Sequence, residues 1–160
     1  MDRLWLGLLV VGGLVMVRVL SHTLHDLRLK RHWKQSQEAL QADDLPRAEA
    51  ALKKCVALMP LWTPPRVLLG VVRARQGDLP GGEAHLKLAA EFHPRQPEGY
   101  LQLGLYYATF CPEREDDAIN ALRKAIEYAP ELRERLAHEP RLARLRHHPR
   151  FQEMLGQTTN

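Results

Sequence analysis

An all-α chain is predicted: an N-terminal apolar helix, then stacked helix pairs, then short terminal helices. Three observations predict it. The first is the run Leu4–Leu20, LWLGLLVVGGLVMVRVL, which carries no charge until Arg18. The second is a repeated spacing, the mark of a repeat architecture. Pro60 and Pro94 are 34 residues apart, as are Asp44-Leu45-Pro46 and Asp78-Leu79-Pro80, and Leu69-Gly70 and Leu103-Gly104; Pro130 follows Pro94 by 36. The third is the uneven charge. Of the net +4 on 160 residues, +3 lies in residues 1–31 and +2 in residues 131–160, leaving the middle at −1. A nearly neutral middle does not offer the clustered basic face that phosphate binding needs, so nucleic acid is excluded as a partner.

The front of the chain reads as a single membrane span. Seventeen residues of helix reach roughly 25 Å against a hydrocarbon core of ~30 Å. Snorkelling of Arg18 and slight thinning of the bilayer make up the difference. Trp5 suits the opposite interface. A cleaved secretory leader is the competing reading, but Val19-Leu20-Ser21 is a poor small-residue cleavage pattern and the n-region has only Arg3 beside Asp2. Basic residues cluster after the span, at Arg18, Arg28, Lys30, Arg31 and Lys34. The positive-inside rule then puts the N-terminus outside and the rest of the chain in the cytoplasm, as a single-pass protein of the inner, cytoplasmic membrane. The same residues are placed to meet anionic headgroups. No Gly or Pro interrupts Ser21 to Leu40, so the helix is expected to continue unbroken into the following region. Residues 1–28 form this anchor and its basic flank.

Residues 29–130 carry the repeats, at 29–62, 63–96 and 97–130. The third has a large residue at Tyr100, Leu103-Gly104, bulky Tyr107, small Ala118 and Ala125 around Leu122, and Pro130. The second keeps Leu69, Gly70, Gly82, Leu86, Ala89 and Pro94, but has Arg66 and Arg73 at two bulky positions. The first keeps Ala48, Leu52, Cys55 and Pro60, while its leading helix departs with His32, Gln35 and Ser36. The pattern resembles the tetratricopeptide repeat, a 34-residue helix–turn–helix unit. A two-residue insertion between Cys111 and Asp116 accounts for the longer third repeat. Small residues let paired helices cross closely, and proline ends the second helix of each pair. Asp44 and Asp78 are placed as N-caps, with Pro46 and Pro80 in the first turn.

From Glu131 the period is lost. Pro140 and Pro149 divide residues 131–160 into short pieces whose Leu132, Leu136, Leu142, Leu145, Phe151, Met154 and Leu155 supply an apolar face. A repeat array needs such an element to cover its last face. No phosphate-cradling glycine loop, nucleophile elbow or paired-cysteine zinc motif occurs, so no enzymatic activity, metal or cofactor is expected. Cys55 reads as packing, and Cys111, in the inserted loop, as a thiol within reach of solvent.

The family resemblance implies a concave groove lined by the first helix of each repeat. Its partner-binding residues would be Trp33, Gln37 and Leu40, then Val67, Val71 and Arg75, then Leu101 and Leu105. The groove is apolar and suits the apolar face of a helix or an extended apolar segment of another protein. Alternatively, the chain's own C-terminal pieces fill it. The expected function is non-catalytic: a small accessory, assembly or stabilising subunit of a larger membrane complex, held to the bilayer by residues 4–20. A recruiting adaptor that captures a soluble partner in the groove is the first alternative, and an exported periplasmic repeat protein the second. Trp5, Arg18, Arg28, Lys30 and Arg31 are the expected membrane-interface residues.

Overall fold

A computed structural model describes residues 2–156, with side chains from residue 16 onward. The chain divides into two compact units, 1–60 and 61–160.

The first unit is a helix pair. Helix α1 runs Asp2–Gln41 without a break, as expected from a stretch free of glycine and proline after Ser21, and α2 runs Leu45–Leu58. Only the end of α1 packs on α2, burying Ser36 and Ala39 against a stripe of Ala48, Ala51, Leu52 and Cys55. Ser36 occupies the small-residue position of the repeat, and its hydroxyl donates to the Trp33 carbonyl at 2.7 Å, so burial leaves it satisfied. The turn between the helices needs a left-handed residue, supplied by Asp43 at φ 56°. Asp44 then caps α2 by accepting from the Arg47 amide at 3.1 Å.

Among the described residues, no helix is long and apolar enough to cross a membrane. The span expected over Leu4–Leu20, with Trp5, lies outside the residues whose side chains are described, except for Met16–Leu20.

The second unit stacks two further pairs: α3 (Thr63–Arg75) on α4 (Leu79–Phe92), and α5 (Pro97–Phe110) on α6 (Glu115–Tyr128). Close approach within each pair depends on missing side chains. A Cβ on Gly70 would lie 2.9 Å from the Gly82 carbonyl oxygen and 2.8 Å from Leu86 Cγ, and one on Gly104 would lie 2.6 Å from Leu122 Cγ. The α3–α4 turn repeats the one in the first unit, with Gly77 at φ 91° where Asp43 stood and Asp78 accepting from the Gly81 amide at 2.9 Å. Pro60, Pro94 and Pro130 each sit two residues beyond a helix end, at Leu58, Phe92 and Tyr128.

After α6 come α7 (Leu132–His138), a 3-10 segment (Pro140–His147) and α8 (Pro149–Leu155), the two prolines opening the last two pieces as expected. Leu136, Leu142, Leu145 and Phe151 are buried in one cluster with Leu101, Leu103, Leu105, Tyr106 and Tyr107 of α5 and Ile119, Leu122 and Ile126 of α6. Cys111 is a correction to the sequence reading. It caps the C-terminus of α5 and is buried in that cluster at 6% exposure, with Pro112 to Arg114 of the loop beyond it.

Candidate functional site

The residues expected to line a groove do not share one environment. On α1, Trp33, Gln37 and Leu40 are half-buried near the end that packs on α2. On α3, Val67 is buried, Val71 is half-buried and Arg75 is exposed in the last turn. On α5, Leu101 is 2% exposed and Leu105 1%. The last two are therefore not on an open surface. The 3-10 segment lies against α5, and its Leu142 and Leu145 join Leu101 and Leu105 in the core. The physical reason is that α5 is the last leading helix of the array. No further repeat covers it, so the chain folds its own apolar terminal segment onto that side. Arg150 fastens the returning segment through an ion pair with Asp116 and donates to Asn120 Oδ1 at 2.9 Å, both on α6.

Between α4 and α5 lies a polar junction that the sequence reading did not identify. Glu83, with a side chain 18% exposed, receives Lys87 Nζ at 2.7 Å, the Tyr107 hydroxyl at 2.7 Å and Arg114 Nη1 at 2.9 Å. Arg114 also reaches Asp117 at 2.7 Å and lies over the Tyr107 ring at 4.3 Å. Burial pushes the Glu83 carboxyl upward, but hydrogen bonds from Lys87, Tyr107 and Arg114 outweigh it and hold the group at about 2. The Tyr107 hydroxyl is raised, by burial first and then by its bond to Glu83. Arg114 is raised by its bonds to Glu83 and Asp117. These shifts belong to a saturated ion network, in which every charge already has its counter-charge. The only signal in the sequence was Tyr107 at a bulky repeat position, which says nothing of its hydroxyl's partner.

Both thiols are buried. Burial raises the pKa of Cys55. Among the described residues, no group of three or more His, Cys, Asp or Glu could hold a metal ion. A depression of about 510 Å³ at the start of α6 is lined by Pro112, Glu113, Arg114, Glu115, Asp116, Asp117 and His148, an open and mostly polar rim.

The expected interface residues Arg18, Arg28, Lys30 and Arg31 are all exposed on α1. So are the apolar Met16 (73%), Val17, Val19, Leu20, Leu24 and Leu27. These side chains cover nothing within the described chain.

No family model matches the chain, and no curated protein matches it. Ten chains of solved structures do. One is the crystal structure of MamA, similar over 66% of this chain and 61% of that one, with 19% identity and a TM-score of 0.57. The chain thus spans less than two thirds of that neighbour. The similarity, with the helix pairs described above, shows a tetratricopeptide-like helical repeat fold.

Proposed function

We propose that this protein is a non-catalytic scaffold, held at a membrane by the first half of α1, that binds other proteins as a small accessory or assembly subunit of a membrane complex. One observation carries the reading. Helix α1 continues far beyond the part that packs on α2, and its Met16, Val17, Val19 and Leu20 are more than half exposed, continuous in sequence with the apolar run Leu4–Val15. Apolar side chains on a helix with no internal partner call for an apolar environment elsewhere. The exposed basic residues that follow suit a cytoplasmic membrane face, with the N-terminus across the bilayer and the repeats in the cytoplasm.

The recruiting-adaptor reading has its own support in Val71 and Arg75, which remain accessible on α3 while the matching side of α5 is covered. On either reading the partner is a polypeptide. Membrane extraction tests the anchor. Full-length protein should stay in the pellet through alkaline carbonate and leave it in detergent, and a variant lacking residues 4–20 should be released without detergent. Full-length protein released by carbonate alone would sink the anchor. Protease added to the periplasmic face should spare the repeats; digestion there would favour an exported periplasmic protein. Gentle detergent purification then separates the two binding modes, since a subunit brings a stoichiometric companion and an adaptor does not.

A further inference from the structure

Among the described residues of α1, four cations have no carboxylate partner: Arg18, Arg28, Lys30 and Arg31; Asp26 lies beside His25, and Glu38 pairs with Lys34 at 3.8 Å. The direction of the four is informative. At ~100° per residue, Lys30 and Arg31 point about 200° and 300° around the helix from Arg28, and Arg18 about 80°. The charges therefore ring the helix. A protein partner grips one face of a helix, whereas headgroups surround it.

Their height agrees. Arg28 to Arg31 lie ~12–17 Å along the axis beyond Leu20. The headgroup layer occupies ~5–8 Å of that distance on one side of the bilayer. Flexible side chains reach back across several more ångströms, so the ring falls within about one Debye length of the lipid charge at physiological salt.

We propose that this ring is a collar selecting anionic phospholipid headgroups around the emerging helix, an inference that rests on the membrane anchoring proposed above and names its lipid. Each cation near an anionic membrane surface is drawn to it by about fivefold in binding. Full-length protein reconstituted in phosphatidylcholine vesicles, with a trace of spin-labelled phosphatidylcholine or phosphatidylglycerol, reports the preference as the motionally restricted fraction of each label. The glycerol lipid should be restricted several-fold more than the choline lipid. The preference should fall toward unity in 1 M NaCl and in the triple variant Arg28→Gln, Lys30→Gln, Arg31→Gln, whose helical circular dichroism should match the parent. Equal restriction of both labels at low salt overturns the collar while leaving the anchor standing, and turns attention to an acidic protein surface. A preference undiminished in the triple variant also overturns it. No restricted lipid of either kind, with protein that does not float with the vesicles, overturns anchor and collar together.

Discussion

The α3–α4 and α5–α6 pairs are built on one plan and solve three of its positions in opposite ways. Where α5 places Tyr100 against Tyr128 with ring centroids 6.1 Å apart, α3 places Arg66 over Phe92 at 4.8 Å. Where α3 ends with Arg73 paired at 3.4 Å to the N-cap Asp78, α5 has Tyr107 beneath Arg114, which itself stands at the N-cap position of α6. An arginine cannot accept from the first amides, so α6 lacks a side-chain cap. Its first turn compensates with Glu115, Asp116 and Asp117, which complement the positive end of the helix. The third difference is the outer side: Val71 stays half-buried, whereas the matching Leu105 is sealed. The repeat fixes where a bulky flat group or a charge pair must sit. It does not fix which chemistry fills the place.

The sealed side of α5 gives the largest expected effect. Phe151 is wholly buried in the segment that returns onto α5 and α6. Phe151→Ala should lower stability by about 3–5 kcal/mol in denaturant titration. Hydrogen exchange should quicken in α5 and α6 well before α3 and α4. Uniform quickening would mean the terminal segment supports the whole unit and is no local cover.

Close helix crossing comes next. Gly70→Ala brings a methyl group against a backbone carbonyl, and overpacking of this kind costs about 1–3 kcal/mol, partly offset by the ~1 kcal/mol that alanine gains in a helix. Gly104→Ala meets the wholly buried Leu122 at its branch carbon, 2.6 Å away, with the Ala118 carbonyl oxygen at 3.1 Å, so it should lose at least as much. A smaller loss at Gly104 would show that the α5–α6 pair yields more readily than the α3–α4 pair.

The junction at Glu83 adds a pH-dependent difference. Its carboxyl lies near 2 in the fold and near the ordinary value of about 4.3 in the unfolded chain. Its contribution is therefore complete above about pH 4.3 and drains away as pH falls toward 2. Glu83→Gln should flatten the stability profile in that window and loosen α5 from α4. An unchanged acid profile would remove Glu83 from the link between the repeats.

These contrasts explain what could be read in advance. Gly70, Gly104 and the three spaced prolines dictate local backbone geometry, and local geometry is legible residue by residue. Helix caps at Asp44 and Asp78 were legible for the same reason. The covering of Leu101 and Leu105 was not, since it depends on how two proline-opened pieces return after Glu131, and that path leaves no periodic trace. The burial of Cys111 turned on which residues of the loop form the insertion. Arg66 and Arg73 read as departures from the pattern because a single sequence does not reveal which ring or carboxylate will face them. The side chains of α1 before Met16 lie outside the described residues, so the span stays a matter of sequence.

The smallest effect tests the equivalence of the two solutions most directly. Arg66 is nearly buried, and burial lowers its pKa, so it rests in a place that suits a flat ring as well as a cation. Arg66→Tyr should recreate on α3 the stack that Tyr100 and Tyr128 make on α5. A cation over a ring and two stacked rings are of similar strength, roughly 0.5–2 kcal/mol each. The exchange should therefore move stability by less than about 1 kcal/mol, whereas Arg66→Ala, which empties the place, should cost clearly more. If the tyrosine variant instead lost as much as the alanine one, the guanidinium would be held by its hydrogen bonds and charge, and the ring-for-cation reading of the two repeats would fail.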